Sequence, residues 1–216
     1  GSWNKNSGDW KSEVYINRDL NFYGGGAFCG DGTGYFKGDY YQKYTKRGDS
    51  SFGGNFVFTS NKNGTHRIEA DCKETIHLGS IDLRDAGNVY ISNTMLSGTE
   101  ITGLDRLICK DGDLKLYMNQ WLLKQDEQTS GNLVLFGGCC ILNGHSLTVN
   151  GNLSLECLKN TETTNDSADI RRKKRMFLQA SETNHEVIKV KKNLILENGD
   201  IQFGGLLDLN IGQNFY

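Results

Sequence analysis

Short runs in which apolar and polar residues alternate recur along the chain, with Gly, Asn and Asp at their ends. In the segment NGHSLTVNGNLSLE (143–156), Leu147 and Val149 alternate with Thr148 and Asn150. Strict alternation places successive side chains on opposite faces of a strand. The segment therefore predicts two short half-buried strands separated by a corner, with Leu147 and Val149 facing inward.

The alternating runs repeat at an interval of about 20 residues. The related segments are GNLVL (131–135) and GNLSL (151–155), KNLIL (192–196) and QNF (213–215), and RDLNF (18–22) and GDYY (38–41). Self-similarity at a short fixed period is typical of a solenoid, whose units bury their apolar faces only by stacking on their neighbours. We therefore predict an all-β, right-handed β-solenoid (β-helix). Each rung, meaning one turn of the coil, should contain about 20 residues.

Asn and Gly occupy the predicted corners because a coil this tight reverses often and needs residues that accept a positive φ. Asn residues at equivalent corners can also stack, with their side-chain amides hydrogen-bonded in a ladder. We predict such a ladder for Asn132 and Asn152. The alternative is that both are solvated turn residues.

The centre of the chain is less regular. Residues 53–94 contain further predicted strands, whose alternating apolar pairs are Phe56 and Phe58, Ile81 and Leu83, and Val89 and Ile91. The pattern loosens over residues 99–127, and LKLYMNQWLLKQDEQ (114–128) fits either a strand with a loop or a short helix. We favour a strand because DLKL (113–116) echoes the repeat.

One polar and basic segment, residues 159–187, interrupts the repeat. Its first part is polar and turn-like, whereas residues 168–180 are compatible with a short helix capped by Asp166 or Ser167. We treat residues 1–216 as a single domain from which this inserted loop emerges. Loops that leave a solenoid often carry its individual function.

The motif L-x-L-x-G-G-x-x-x-L-N-G-H-x-L-x-V-x-G-N-L, which runs from Leu133 to Leu153, resembles the β-solenoid modules of large bacterial surface proteins. Similar runs occur in repeat-rich surface proteins of gut clostridia and, more loosely, in filamentous-haemagglutinin-type adhesins and autotransporter passengers. Residues 64–94 resemble the segment that links coil sections in such modules. The resemblance implies a secreted or cell-surface location and a role as stalk, adhesin or toxin-delivery shaft. The last rung breaks off at residues 215–216, which indicates a piece excised from a longer protein.

Composition narrows the choice of partners. The formal charge of -2 gives no overall attraction to nucleic acid or to an anionic membrane. No apolar stretch approaches the length of roughly 18 residues that a membrane span needs. We therefore expect no nucleic-acid partner and no membrane insertion by this segment.

Neither a metal nor a cofactor is expected. The six cysteines include no C-x-x-C pair, and the four histidines lack the i, i+4 spacing of a helical metal pair. His145 lies in a predicted turn, where we expect a structural role. The even number of cysteines permits disulfides in several pairings, but we favour free, buried thiols that act as small hydrophobes.

Two segments are candidate ligand surfaces. Near the amino terminus, aromatic residues recur so that alternate rings would be core and the others exposed in a row that binds a sugar or a protein. The ligand-binding members of this cluster are predicted to be Tyr23, Tyr35, Tyr41 and Tyr44. The basic run IRRKKR (170–175) predicts a site for an anionic polymer, formed by Arg171, Arg172, Lys173, Lys174 and Arg175. The alternative for the tyrosines is packing between strands. The alternatives for the basic run are a solvated charged loop, a target of a trypsin-like protease and a mimic of a nuclear signal.

An enzymatic alternative depends on charged pairs two residues apart, Glu69 with Asp71 and Asp82 with Arg84, which would lie side by side on an outward strand face. No second motif supports it, so we assign no catalytic residue. The favoured hypothesis is a non-enzymatic spacer or adhesive module of a secreted or cell-surface bacterial protein. It would bind a host protein or glycan and stack on neighbouring rungs of the full-length chain. The alternatives are a polysaccharide lyase or glycoside hydrolase, and a receptor-binding or delivery part of a toxin.

Overall fold

The computed structural model describes residues 13–22, 32–42, 51–59, 64–70, 75–92, 95–159 and 167–216. These residues form mainly short strands, with one α-helix and one 3₁₀ helix among them, and the strands stack in parallel coils. The all-β solenoid predicted from the sequence is confirmed. Whereas the sequence analysis treats the chain as one domain, it divides into two compact units, Gly1–Asp111 and Gly112–Tyr216.

The first unit is a coil of two parallel sheets. Its strands are β1 (Glu13–Ile16), β2 (Leu20–Phe22), β3 (Thr33–Phe36), β4 (Tyr40–Gln42), β5 (Ser51–Phe58), β6 (Thr65–Ala70), β7 (Ile76–Asp82), β8 (Asn88–Ile91), β9 (Leu96–Gly98), β10 (Glu100–Thr102) and β11 (Leu107–Cys109). One sheet has the order β1-β3-β5-β7-β9, with β10 also paired to β7, and the other has the order β2-β4-β6-β8-β11. From β1 to β9 successive strands alternate between the sheets, so each rung contributes one strand to each.

The length of the rungs varies through this unit. Leu20 pairs with Tyr40, as the repeat predicts, and the corner residues Asp19 and Asp39 are 20 positions apart. The interval between paired residues then grows to 22 for Thr33 and Asn55 and to 25 for Asn55 and Ser80. The longer of these two rungs, from Asn55 to Ser80, lies in the less regular central section that the sequence predicts over residues 53–94.

Aromatic rings fill the interior of the first unit. Phe36 stacks on Phe56 and on Phe58, with ring centroids 5.2 and 5.3 Å apart, and Tyr40 meets Phe56 edge-on. All four rings are at most 2% exposed. The predicted alternation is confirmed, because the following residues are all buried: Phe56, Phe58, Ile81, Leu83, Val89 and Ile91. Aromatic pairs of this kind contribute about 0.5–1.5 kcal/mol beyond their buried area.

His66 is a fully buried polar side chain that joins two segments of the first unit. Its Nδ1 lies 2.9 Å from the carbonyl oxygen of Gly38, and its Nε2 lies 2.9 Å from the carbonyl oxygen of Thr59. Carbonyl oxygens only accept, so a neutral ring donates to one of them and a protonated ring donates to both. The imidazole therefore lies within hydrogen-bonding distance of a buried carbonyl group, that of Gly38, and of a partly buried one, that of Thr59.

We expect His66→Phe to destabilise the protein by about 1–3 kcal/mol, because it leaves buried carbonyl groups without a donor. Urea unfolding measures the change in free energy. His66→Gln is the control, since its carboxamide keeps two N–H donors. An equal loss in both variants would contradict the hydrogen-bonding role and indicate a packing defect instead.

The second unit is a coil with three faces. Its strands are β12 (Leu114–Leu122), β13 (Glu127–Thr129), β14 (Leu133–Ile141), β15 (Leu147–Val149), β16 (Leu153–Glu156), β17 (Arg175–Gln179), β18 (Glu186–Val190), β19 (Leu194–Glu197), β20 (Asp200–Gly204) and β21 (Leu207–Ile211). The faces are β12-β14-β16-β19, then the second half of β14 with β17 and β20, and finally β13-β15-β18-β21. The strand favoured for the segment at 114–128 is confirmed by β12.

A column of leucines runs through the core of the second unit. Leu114 pairs with Leu133, Leu133 with Leu153, and Leu153 with Leu194, and all four are at most 3% exposed. Leu133 and Leu153 therefore lie in adjacent layers, as the 20-residue repeat predicts. Burying a leucine side chain contributes roughly 1.5–3 kcal/mol, so the column stabilises the stacking of every rung it crosses.

The insertion is shorter than the sequence predicts. The α-helix described in this unit, α1 (Ala168–Lys173), is capped by Ser167, whose Oγ accepts from the Ile170 amide at 3.3 Å. This confirms Ser167 as the cap; Asp166 lies outside the described residues. The helix predicted over 168–180 ends at Lys173 because Met176 and Leu178 alternate into the core as part of β17.

Because β17 and the start of β18 belong to the coil, the predicted loop boundary at residue 187 is wrong. The two corner residues on either side of the insertion, Asn152 and Asn193, occupy adjacent rungs although they are 41 positions apart. Asn132 and Asn152, on the preceding pair of rungs, are 20 positions apart. The rung between Asn152 and Asn193 is therefore about twice as long as the one before it, and most of the additional chain precedes Arg175.

The predicted ladder of corner asparagines is present and extends beyond the two residues proposed for it. Asn132 Oδ1 accepts from the Asn152 amide at 2.8 Å, and Asn152 Oδ1 accepts from Asn193 Nδ2 at 3.0 Å. Asn193 Oδ1 accepts from Asn214 Nδ2 at 3.2 Å, and Asn132 Nδ2 donates to Asp113 Oδ1 at 2.8 Å. The corner therefore joins five consecutive layers through side chains.

Asn152→Ala should destabilise the protein by about 1–3 kcal/mol, since Asn152 Oδ1 accepts from both the backbone and the side chain of Asn193. The measurement is the urea midpoint at an unchanged m-value. Asn210→Ala, at an exposed position of β21, is the matched control and should change the free energy of unfolding by less than about 0.5 kcal/mol. Equal effects of the two changes would show that the ladder adds nothing to stability.

Candidate anion-binding groove

The aromatic candidates do not form one row. Tyr35 lies on β3 and Tyr41 lies on β4, which belong to different sheets of the first unit. Tyr23 and Tyr44 lie outside the described residues. The expectation of a single exposed row is therefore wrong for Tyr35 and Tyr41, because neighbouring strands in the sequence alternate between sheets.

Each of these two tyrosines has partners within its own sheet. Tyr35 stacks on Tyr15, with ring centroids 4.8 Å apart, and both hydroxyls donate to the carboxylate of Glu13. Tyr41 donates to Asp39 Oδ2 at 3.0 Å. The Glu13 carboxylate raises the pKa of both Tyr15 and Tyr35. Packing between rungs accounts for these contacts without a ligand.

The basic run 170–175 separates into three environments. Arg171, Arg172 and Arg175 are exposed, whereas Lys173 is half-buried and pairs with Asp169 at 2.8 Å. Lys174 is buried, with 9% of its surface exposed. The prediction that Lys174 binds the ligand is therefore wrong. It lies where the chain rejoins the coil, and its carbonyl accepts from the Asp200 amide at 3.1 Å.

The three exposed arginines line one groove of about 500 Å³ in the second unit. Arg171 and Arg172 enter it from α1, and Arg175 enters it from the first position of β17. Asn119 and Gln120 of β12 also line the groove and contribute carboxamides. The sequence predicted the arginines but gave no indication of the groove that they share.

The floor of the groove is the outward face of two paired strands. Cys139 on β14 pairs with Phe177 on β17, and both side chains are half-buried. Arg175 is two residues before Phe177, so period-two alternation places both on the same face of β17. An aromatic ring and a guanidinium therefore lie next to each other along one edge of the groove.

A β-bulge in β12 presents the two carboxamides. Met118 pairs with Gly138 and Trp121 pairs with Cys140, so β12 has one more residue than β14 between these points. The extra residue leaves Asn119 and Gln120 both exposed, where strict alternation would direct one of them inward. Bulges often redirect side chains beside binding sites.

Two glycines make the close approach of these segments possible. Gly137 and Gly138 have φ values of 64° and 81°, in the region that favours glycine. A Cβ on Gly138 would meet the backbone oxygen of Met118, and a Cβ on Gly137 would lie 2.7 Å from Lys173 Cα. The pair G-G in the repeat motif is the sequence signal that could have located the groove.

The charge of the groove is positive. Within the residues that the structure describes, Arg171 and Arg172 make no ion pair, and no carboxylate lines the groove. Arg175 Nε is 3.8 Å from Asp200 Oδ2, which is longer than the ~2.7–2.9 Å of a charge-assisted hydrogen bond. The guanidiniums therefore keep most of their donor groups for a ligand.

Cys139 is a weak nucleophile near neutral pH. Burial raises the pKa of the Cys139 thiol, so the thiol stays protonated near neutral pH. Cys109, Cys139, Cys140 and Cys157 are free thiols, as favoured from the sequence. Cys29 and Cys72 lie outside the described residues.

Asp169 fastens α1 to β12. Its Oδ1 accepts from the Tyr117 hydroxyl at 2.9 Å, and its Oδ2 is 2.8 Å from Lys173 Nζ. Lys173 Nζ also lies 5.1 Å from the centroid of the Tyr117 ring. Burial, and then the hydrogen bond to Asp169, raise the pKa of Tyr117. We call Tyr117, Asp169 and Lys173 the clasp, because together they hold the helix that carries Arg171 and Arg172.

The charged pairs proposed for an enzyme are not assembled into a site. Arg84 Nη2 lies 2.6 Å from Asp82 Oδ2, so each neutralises the other. Asp71, the proposed partner of Glu69, lies outside the described residues. The sequence analysis missed a different pair, Glu156 and Glu197, which occupy paired positions on β16 and β19. Burial, followed by the charge of Glu197, raises the pKa of Glu156.

Comparisons with family models, curated proteins and solved structures find no match to this chain. Across the described ranges, no group of three or more His, Cys, Asp or Glu side chains could hold a metal ion. No helix in those ranges is long and apolar enough to cross a bilayer.

Tyr117→Phe should loosen α1, because it removes the hydroxyl that donates to Asp169. Trypsin should then cleave more readily after Arg171 and Arg172. A hydrogen bond to a charged group contributes about 1.5–3 kcal/mol, so local opening should rise by roughly tenfold or more. Mass spectrometry of early tryptic fragments gives the cleavage rate. Tyr90→Phe, in the first unit, is the control, and unchanged cleavage in Tyr117→Phe would contradict the clasp.

Proposed function

We propose that this chain is a non-enzymatic segment of a secreted or cell-surface bacterial protein, and that it is an adhesive module which binds an anionic ligand. The ligand would belong to a host protein or glycan. The resemblance of residues 133–153 to bacterial surface modules supports the setting. The groove between α1 and the outer faces of β12, β14 and β17 supports the binding role.

The single observation that carries the proposal is the convergence of three guanidiniums on one groove without a carboxylate among its described lining residues. Guanidiniums are permanently charged and match carboxylate or phosphate oxygens with paired N–H donors. A merely solvated basic loop would direct its charges apart. Here Arg171, Arg172 and Arg175 come from two different elements and face one volume.

The scaffold favours binding because it holds these groups in place. Arg175 is part of a strand paired on both sides, with β14 and with β20. The clasp holds α1, and the Leu158 amide donates to the Lys173 carbonyl at 2.8 Å, which closes the neck of the insertion. A preorganised site loses less conformational entropy when a ligand binds.

A polysaccharide-active enzyme is the second candidate, and Glu156 with Glu197 is the observation that favours it. Two neighbouring carboxyls, one with a raised pKa, can divide the roles of acid and base. A reducing-sugar release assay on acidic and neutral polysaccharides tests this reading. Turnover that Glu156→Gln abolishes would replace the adhesive proposal, whereas saturable binding without turnover would exclude the enzyme.

The binding proposal predicts that Arg171→Ala/Arg172→Ala weakens binding of heparin, used as a generic polyanion, by at least tenfold in calorimetry. Each lost charge-assisted hydrogen bond costs about 1.5–3 kcal/mol. Raising the ionic strength from about 0.05 to about 0.3 M should also weaken binding by the unmodified protein.

Lys191→Ala/Lys192→Ala is the matched control, because it removes the same charge from exposed positions that follow β18, on a different face of the coil. This variant should change heparin affinity by less than about threefold if the contacts are local and screened beyond a Debye length of roughly 10 Å. Equal losses of heparin affinity in the two variants would show that net charge, and not the groove, determines binding, and would contradict the proposal.

A further inference from the structure

We infer that the groove recognises an acidic pyranose oligosaccharide, one whose sugar rings carry carboxylate or sulfate groups, and not an acidic peptide. This inference depends on the proposed anion-binding function and names its ligand class. It is drawn from the residues beside the arginines, which a site for charge alone does not need.

The first indication is the mixed hydrogen-bonding capacity of the groove. Arginines only donate, which suits the acidic groups of a ligand. Asn119 and Gln120 both donate and accept, and both are exposed residues that line the same groove. A hydroxyl group also donates and accepts, so two carboxamides in the same groove as three guanidiniums match a ligand with hydroxyls close to its acid.

The second indication is the apolar floor. Phe177 presents a half-buried ring beside the protonated Cys139 thiol, and Arg175 lies two residues away on the same face. The distance along a strand between residues i and i+2 is about 6.6 Å. One pyranose can therefore place its C–H face on Phe177 while its acidic group reaches the long side chain of Arg175.

The third indication is size. A volume of about 500 Å³ lies within the range of ~300–1,000 Å³ that is typical of small-molecule sites. It exceeds what a single carboxylate or sulfate ion needs. Arg171 and Arg172, on α1, lie on the helix side of this volume, where they can contact the acidic group of the next sugar. An oligosaccharide with repeated acidic groups fits both arginine positions at once.

The groove lacks features expected for other polyanions. Single-stranded nucleic acid is usually held by several rings on which successive bases stack. Phe177 is the only aromatic residue among the described lining residues. An extended acidic peptide that bound by strand addition would need backbone partners along a free strand edge. In this groove β14 and β17 are paired with each other, so that edge is occupied.

The experiment compares four probes by calorimetry at one ionic strength. They are a tetrasaccharide of hexuronate units, a sulfated neutral tetrasaccharide, the hexuronate tetrasaccharide with its carboxyls reduced to alcohols, and a tetraglutamate peptide. We expect at least one acidic tetrasaccharide to bind at least tenfold more tightly than both the reduced tetrasaccharide and the peptide. The two acidic probes distinguish a carboxylate from a sulfate as the recognised group.

Phe177→Leu separates ring recognition from charge recognition. Leucine is apolar but lacks the flat aromatic face on which a pyranose ring can pack. This variant should therefore weaken the acidic tetrasaccharide about three- to tenfold, with peptide affinity and thermal stability unchanged. Bound tetrasaccharide should also slow alkylation of Cys139 by N-ethylmaleimide, with Cys109, half-buried in the first unit, as the internal control.

Tight binding of the peptide, or tetrasaccharide binding that Phe177→Leu does not change, overturns the sugar inference while leaving an arginine-dependent anion site in place. If neither heparin nor any other probe binds in a way that depends on the arginines, the proposed function itself is overturned. Unprotected Cys139 in the presence of saturating tetrasaccharide would place the ligand elsewhere and would also overturn the inference.

Discussion

Parallel pairing between successive rungs is the constraint on which this structure depends. Each strand directs its backbone hydrogen bonds to the rungs on either side, so a rung satisfies them only within a stack. The inward residues must then match from layer to layer, as the leucine column through Leu133 and Leu153 does. The ladder of corner asparagines adds a second line of bonds in the same direction. The register of the strands, the packing of the core and the position of the corners therefore all depend on the same stacking of rungs.

The groove is a local departure from that regular pattern. A bulge in β12, the two glycines in β14 and a chain excursion that carries α1 all occur on the same side of the second unit. The excursion leaves the coil unbroken because its two ends are joined by the bond between Leu158 and Lys173, and β17 resumes the pairing immediately. The coil stays stable, and the added segment is available to form a site. Solenoids often place their function in such segments.

Only part of the basic run serves the groove. Lys173 is used in the clasp and Lys174 is buried at the neck, whereas the three arginines are directed to solvent. This division suits the chemistry of the side chains. The guanidinium group is planar and keeps its charge, and the lysines contribute a single charged group to internal contacts. The candidate site thus has a supporting layer, Tyr117 and Asp169, that composition alone does not indicate.

The sequence by itself determined the repeat, and with it the solenoid, the inward leucines and the Asn132–Asn152 ladder. These features depend on residues read at a fixed interval, so a local pattern is sufficient. It also limited the helix cap to Asp166 or Ser167 and located the basic run. Tertiary structure decided which basic side chains face the groove, and that Asn119, Gln120, Cys139 and Phe177 line it with them. It also placed Tyr35 and Tyr41 on different sheets. The physical reason is that these groups meet across strands far apart in the chain, where a one-residue bulge or a change of sheet alters the direction of a side chain without altering the repeat.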